Sequence, residues 1–262
     1  MKWRQILPTT VTLMAMLAGF LSILVTVEGI RNFGAEAGRL YRWAALLIML
    51  AMILDGIDGN LARWIKGSSE FGAELDTYVD MTAFGISPAI LIFAVTLQSE
   101  PLWRVALPSA VAISGVVRLA RFKVKDPLRG QGGYAGLPIT VNAAWVALFV
   151  FICQTPPLNR FSLNEGKVAG LFLAGIFVFI ILQVTSLRYP KPTKKAALFI
   201  PCVILVALLL VLTLVRAYDK ASRVAVIMLA LGMIYVVIGP MFVKSVAIHK
   251  ARKAARTRLN EE

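Results

Sequence analysis

Residues that bind soft metals or form cross-links are nearly missing. The chain of 262 residues has one histidine, His249, and two cysteines, Cys153 and Cys202. The cysteines lie in or beside apolar runs and make no metal-ligand spacing, so neither a disulfide framework nor a zinc site is expected, and both read as small packing residues. His249 sits in a basic C-terminal stretch and reads as a solvated side chain. Charge is also scarce. Asp, Glu, Lys and Arg make up 16% of the sequence against 58% hydrophobic residues, with a mean hydropathy of +0.76, which argues against an ordinary soluble domain. No low-complexity linker interrupts the apolar segments, so the chain reads as one helical bundle with its backbone polar groups satisfied internally.

What the sequence does have is apolar runs of about 20 residues, each long enough to cross a hydrocarbon core of about 30 Å. They cover roughly 9–27, 43–64, 72–97, 104–123, 137–154, 168–187, 196–215 and 223–243. The expected fold is an all-α integral membrane protein, a polytopic bundle of about eight transmembrane helices. The first run has no small-residue cleavage site and leads straight into more spans, so it reads as a span and not a signal peptide.

The net charge of +14 comes from 28 basic residues against 14 acidic ones, and its placement explains it better than nucleic-acid binding does. With the N-terminus inside, the basic residues concentrate at the inner loops. Arg63 and Lys66 lie in one, Arg118 to Arg129 in the next, Arg188 to Lys195 in a third, and Lys244 to Arg258 in the tail. This fits the positive-inside rule with both termini cytoplasmic. The tail is expected to be helical and to lie on an anionic cytoplasmic leaflet.

Four aspartates break the apolar pattern. Asp55 and Asp58 close the second apolar run, and Asp76 and Asp80 open the third. A central acidic residue costs about 2.5–3.5 kcal/mol on insertion scales, so four together call for a function. Spacings of three and four put each pair on one helix face, and the short connection from Arg63 to Gly72 predicts antiparallel neighbours. All four carboxylates are then expected to converge below the cytoplasmic surface. So many carboxylates cannot all stay ionised without cations, and an all-oxygen set favours Mg²⁺, Mn²⁺ or Ca²⁺ over zinc or copper. Magnesium completes its shell with waters and substrate phosphates, which points to a phosphate-bearing substrate. Gly59 and Ala62 share the face of Asp55 and Asp58, and Gly72 lies one turn before Asp76, so a flat group could approach both backbones. The alternatives are small-residue helix packing for the glycines, and an ion-pair network with Arg63 and Lys66 or an ion pathway for the aspartates.

Together these residues match the signature D-x2-D-G-x2-A-R-x8-G-x3-D-x3-D over residues 55–80, and the chain resembles the CDP-alcohol phosphatidyltransferase family. The segment FGAELDTYVDMTAFGISPA, RLARFKV at 118–124 and AGLP at 135–138 resemble the branch of that family whose acceptor is serine. Lys123 stands where the branch usually has Asn, and Thr9 where many relatives have Asn. The resemblance implies that Asp55, Asp58, Asp76 and Asp80 organise two divalent ions, with Asp80 also the proton acceptor. It implies that Gly59, Arg63 and Ser69 contact the CDP-diacylglycerol head group, with Asp58, Ala62 and Gly72 as further candidate substrate-binding residues beside them. A homodimer in the cytoplasmic membrane, with its site open to the cytoplasmic leaflet, is implied as well. Residues 1–187 would form the six-helix core, and 188–262 would add two helices and the tail.

The reaction required is attack of a hydroxyl on the diacylglycerol-side phosphorus with CMP leaving. No His or Cys lies near the motif, so direct displacement is expected over a covalent intermediate. Arg118 and Arg121 could receive the carboxylate of L-serine by charge-assisted hydrogen bonds, or could be loop charges that set topology. The loop RFKVKDPLRGQGGYAGLP at 121–138 holds Gly130, Gly132 and Gly133 and cannot be helical throughout. It either closes over the site or serves topology alone. Choline, inositol phosphate and glycerol phosphate are the rival acceptors, and a divalent-cation transporter is the rival outside enzymes.

Overall fold

Long runs of Leu, Ile, Val and Ala with few breakers make long helices. The computed structural model describes residues 3–67, 69–96, 101–125, 133–190 and 196–259. Among these lie α1 (Trp3–Arg31), α2 (Gly34–Trp64), α3 (Glu70–Asp80), α4 (Ser87–Val95), α5 (Pro101–Lys125), α6 (Ile139–Cys153), α7 (Gly166–Val184), α8 (Ala196–Leu214) and α9 (Tyr218–Leu259). Two short strands, β1 (Gly133–Ala135) and β2 (Arg188–Pro190), pair antiparallel with Tyr134 opposite Tyr189. Arg129, Gly130 and Gly132 lie outside the described residues.

Among the described residues each of the eight expected segments overlaps a helix, and six helical stretches are long and apolar enough to span a membrane. The fifth and seventh segments fall on shorter apolar helices, Ile139–Cys153 and Ile200–Leu214 within α8. The third is composite. A π-helical turn, Met81–Ile86, joins α3 to α4 so that Glu70–Val95 runs as one span. The basic tail is helical as expected and continues α9 without a break to Leu259.

The core is formed by the middle of α2, the π turn, α4 and α6, where Ala44, Ile48, Phe84, Ile92, Val146 and Phe151 are fully buried. Large apolar side chains on α1, α7, α8 and α9, among them Leu17, Phe177, Ile204 and Val237, face outward instead, as a lipid-facing surface requires. Small residues set the close crossings. A Cβ on Gly19 would lie 2.6 Å from that of Ala83, so α1 crosses the π turn almost backbone to backbone. Ile139, at the start of α6, fills the space over two glycines: its Cδ1 is 2.8 Å from where a Cβ on Gly115 would stand and 3.7 Å from one on Gly85.

Candidate active site

The chain reverses between α2 and α3 by defined local chemistry. Gly67 N–H donates to Ala62 O (2.9 Å) and Lys66 adopts a positive φ of 52°, which closes the end of α2. Ser69 caps α3, its Oγ accepting from Gly72 N at 3.0 Å. The chain reverses as expected, and α3 packs more closely on α1 than on α2. A gap between α2 and α3 results, and the aspartates reach into it from both sides.

Across this gap the carboxylate oxygens of Asp55, Asp58 and Asp76 come within 4.8 Å of one another. Asp58 is buried, with Thr12 of α1 and the Gly59 N–H beside it, and its Oδ2 has no hydrogen-bond partner among the described residues. Asp55 is half-buried and Asp76 the most exposed. An orphaned buried carboxylate oxygen within a three-carboxylate, all-oxygen set fits a hard divalent cation.

Asp80 lies outside this tightest set of three, but its charge acts on Asp55 and those of Asp76 and Asp58 act on it, so it borders the same cluster. One helical turn separates it from Asp76, about 6 Å along the axis, so it shares the face but stands deeper. It lies near Arg118, a buried side chain of α5 whose charge acts on it, and the π turn begins at the next residue. Such turns often occur at functional sites.

The other expected residues divide into two sets. A Cβ on Gly59 would meet nothing within 4 Å, so the backbone there is open to a ligand, while Ala62 is half-buried beside it. Gly72 is occupied locally, its Cβ position 3.1 Å from Ser69 Oγ. Arg63 is exposed and donates to Asn60 Oδ1 at 2.9 Å. Among the described residues no ion pair joins Arg63 or Lys66 to any of the four aspartates, which removes the ion-pair network as an account of the cluster.

Arg121 is a correction of its own. Its guanidinium donates to Val184 O (2.6 Å), Thr185 O (2.9 Å), Ala135 O (3.2 Å) and Gln183 O (3.5 Å). These are the orphan carbonyls at the end of α7 and the carbonyl closing β1, so Arg121 is a clamp on backbone and not a receiver of substrate. Two features of the site were not expected from the sequence. One is Thr12, brought beside Asp58 by α1. The other is the Lys123–Glu74 salt bridge, Nζ to Oε2 2.6 Å, which ties α5 to α3 next to Asp76.

A family model described as CDP-alcohol phosphatidyltransferase matches residues 5–182, from α1 to near the end of α7. A protein of Helicobacter pylori named CDP-diacylglycerol–serine O-phosphatidyltransferase is 31% identical over 212 residues, covering 81% of this chain and 85% of that one. Archaetidylserine synthase of Methanothermobacter thermautotrophicus is 29% identical over 192 residues, 71% of this chain and 70% of its own length. A second CDP-diacylglycerol–serine O-phosphatidyltransferase, from Methanocaldococcus jannaschii, is 33% identical over 156 residues, 59% of this chain and 67% of its own. With the matched region enclosing the whole acidic gap, this multi-pass membrane protein belongs to the CDP-alcohol phosphatidyltransferase family.

Proposed function

We propose that the protein transfers the phosphatidyl group of CDP-diacylglycerol to L-serine, giving phosphatidylserine and CMP. The observation that carries the reading is the meeting of Asp55, Asp58 and Asp76 across the α2–α3 gap, on the positions of the family signature. The serine oxygen forms a bond to the diacylglycerol-side phosphorus while the bond from that phosphorus to the pyrophosphate bridging oxygen breaks. The bridging oxygen leaves with CMP. Asp80 takes the hydroxyl proton from its deeper position on α3. Asp55, Asp58, Asp76 and Asp80 would hold two divalent ions, Mg²⁺ or Mn²⁺, which would supply neutralisation of the phosphate charge. The open backbone at Gly59, with Ala62, Arg63, Ser69 and Gly72, borders the nucleotide end. Arg118, buried beside Asp80, receives the serine carboxylate as a charge-assisted pair.

In this reading both termini and the site face the cytoplasm, all eight apolar segments cross the cell membrane, and two copies form a homodimer. Residues 1–187 form the catalytic core and 188–262 its extension. The test is an acceptor panel with purified protein, CDP-diacylglycerol and Mg²⁺ or Mn²⁺. CMP release is expected with L-serine. Release with choline, inositol phosphate or glycerol phosphate but not serine would overturn the acceptor, and no metal-dependent release with any of them would overturn the transfer.

A further inference from the structure

The family model ends at residue 182, so β2, α8 and α9 lie beyond it. We infer that α9 positions the acceptor side of the site, acting through Tyr235 and Gly239 on the β1–β2 ribbon. A two-stranded ribbon of three-residue strands is not stable by itself and needs support from outside. It has two supports.

On one side stand α5 and α7. Arg121 clamps Ala135 O together with the last carbonyls of α7. Gly136 N–H donates to Leu187 O at 2.8 Å, and Leu137 N–H donates to Leu182 O at 2.9 Å. Gly136 has a φ of +80°, and a Cβ there would stand 3.1 Å from Thr185 O and collide with Gln183 O, so only glycine fits the junction.

On the other side stands α9. Tyr235 OH donates to Pro190 O at 2.9 Å, and its ring lies 6.0 Å from that of Tyr189, which is fully buried. Gly239, one turn on, lets β2 come close: a Cβ there would be 3.1 Å from Pro190 Cδ and 3.3 Å from Tyr189 Cδ1.

The ribbon leads directly into α6. Leu137 and Pro138 are followed by Ile139, whose side chain rests against Gly85 of the π turn and Gly115 of α5. The π turn starts just after Asp80, and Arg118 lies one turn after Gly115. A line of contacts thus runs from α9 through β2, β1 and Ile139 to the backbones that carry Asp80 and Arg118. Tyr235 touches neither and is a positioning residue. The inference rests on the proposed transfer only for where its kinetic effect is read.

The experiment uses the full chain with Tyr235→Phe, which keeps the ring, and Gly239→Leu, which wedges α9 from β2. Amide hydrogen exchange over residues 133–139 is measured together with the KM for serine and for CDP-diacylglycerol. Tyr235→Phe should speed exchange there about fivefold, the size expected for one lost neutral hydrogen bond, and Gly239→Leu should speed it more. The serine KM should rise severalfold while that of CDP-diacylglycerol stays unchanged. Unaltered exchange in both folded variants overturns the inference, and so does faster exchange with both KM values unmoved or raised equally. Faster exchange in a protein whose wild type releases no CMP with serine would count against the proposed function and leave the brace in place.

Discussion

Lys123 of α5 and Glu74 of α3 meet at 2.6 Å across the end of the bundle where the aspartates lie, and the charge of Lys123 also bears on Asp76. The pair is exposed, at 37% and 61%, so it contributes little to stability, about 0.2–1 kcal/mol. Its consequence lies with the cations of the site. A fixed ammonium beside Asp76 competes with a divalent ion for the same field. Lys123→Ala should therefore lower the half-saturating Mg²⁺ or Mn²⁺ concentration by about 2–5-fold with little change in melting temperature. Glu74→Gln, which leaves Lys123 without its counter-charge, should move it the other way. Metal titrations of CMP release read both, and an unchanged requirement in both variants would remove Lys123 from the site.

Asp58→Asn and Asp76→Asn should each abolish turnover at ordinary Mg²⁺, because each takes one charge from a set that only a cation stabilises. Asp58 carries the orphaned Oδ2, so its loss should weaken Mn²⁺ binding even without lipid substrate. Calorimetric titration of Mn²⁺ into the purified variants checks this. Wild-type affinity in both would falsify the shared site.

Much of this arrangement was legible from residue order alone. Apolar length located the spans, and the aspartate spacings located a face. Three things were not legible. The start of α2, GAEAGRLYRW, is too polar for a hydropathy reading, yet it holds no proline and continues as helix from Gly34. The π turn follows from tertiary contact, with Gly19, Ala83 and Gly85 admitting α1 and Ile139, and no local propensity announces it. The role of Arg121 depends on carbonyls some sixty positions away at the end of α7, which its local sequence context does not announce.

Asp80→Asn should separate binding from chemistry. Asp80 stands outside the three-carboxylate group, so CDP-diacylglycerol and metal should still bind through Asp55, Asp58 and Asp76. Turnover should fall by about 10²–10⁴, the usual cost of losing a general base. Equilibrium binding of CDP-diacylglycerol measured beside single-turnover rates gives the comparison. Loss of binding together with rate would make Asp80 chiefly a ligand.

The two arginines of α5 should behave oppositely, although they lie within one turn of each other. Arg118 is buried beside Asp80, where a serine carboxylate entering a poorly solvated site needs a cation. Removing a charge-assisted contact of this kind costs about 1.5–3 kcal/mol, so Arg118→Ala should raise the serine KM by about 10–100-fold with a much smaller effect on CDP-diacylglycerol. Arg118→Lys should rescue poorly, because a point charge cannot reproduce two aligned donors. Arg121 instead holds four backbone carbonyls where α7 ends and β1 closes. Its loss leaves those carbonyls without their donor, so Arg121→Ala should lower thermal stability by about 1–3 kcal/mol. Any kinetic effect should follow the fraction of folded protein and not the serine concentration. Michaelis kinetics for both substrates, taken beside thermal unfolding of the same preparations, tell the two apart. A serine-specific KM effect at Arg121 with unchanged stability, and none at Arg118, would reverse the assignment.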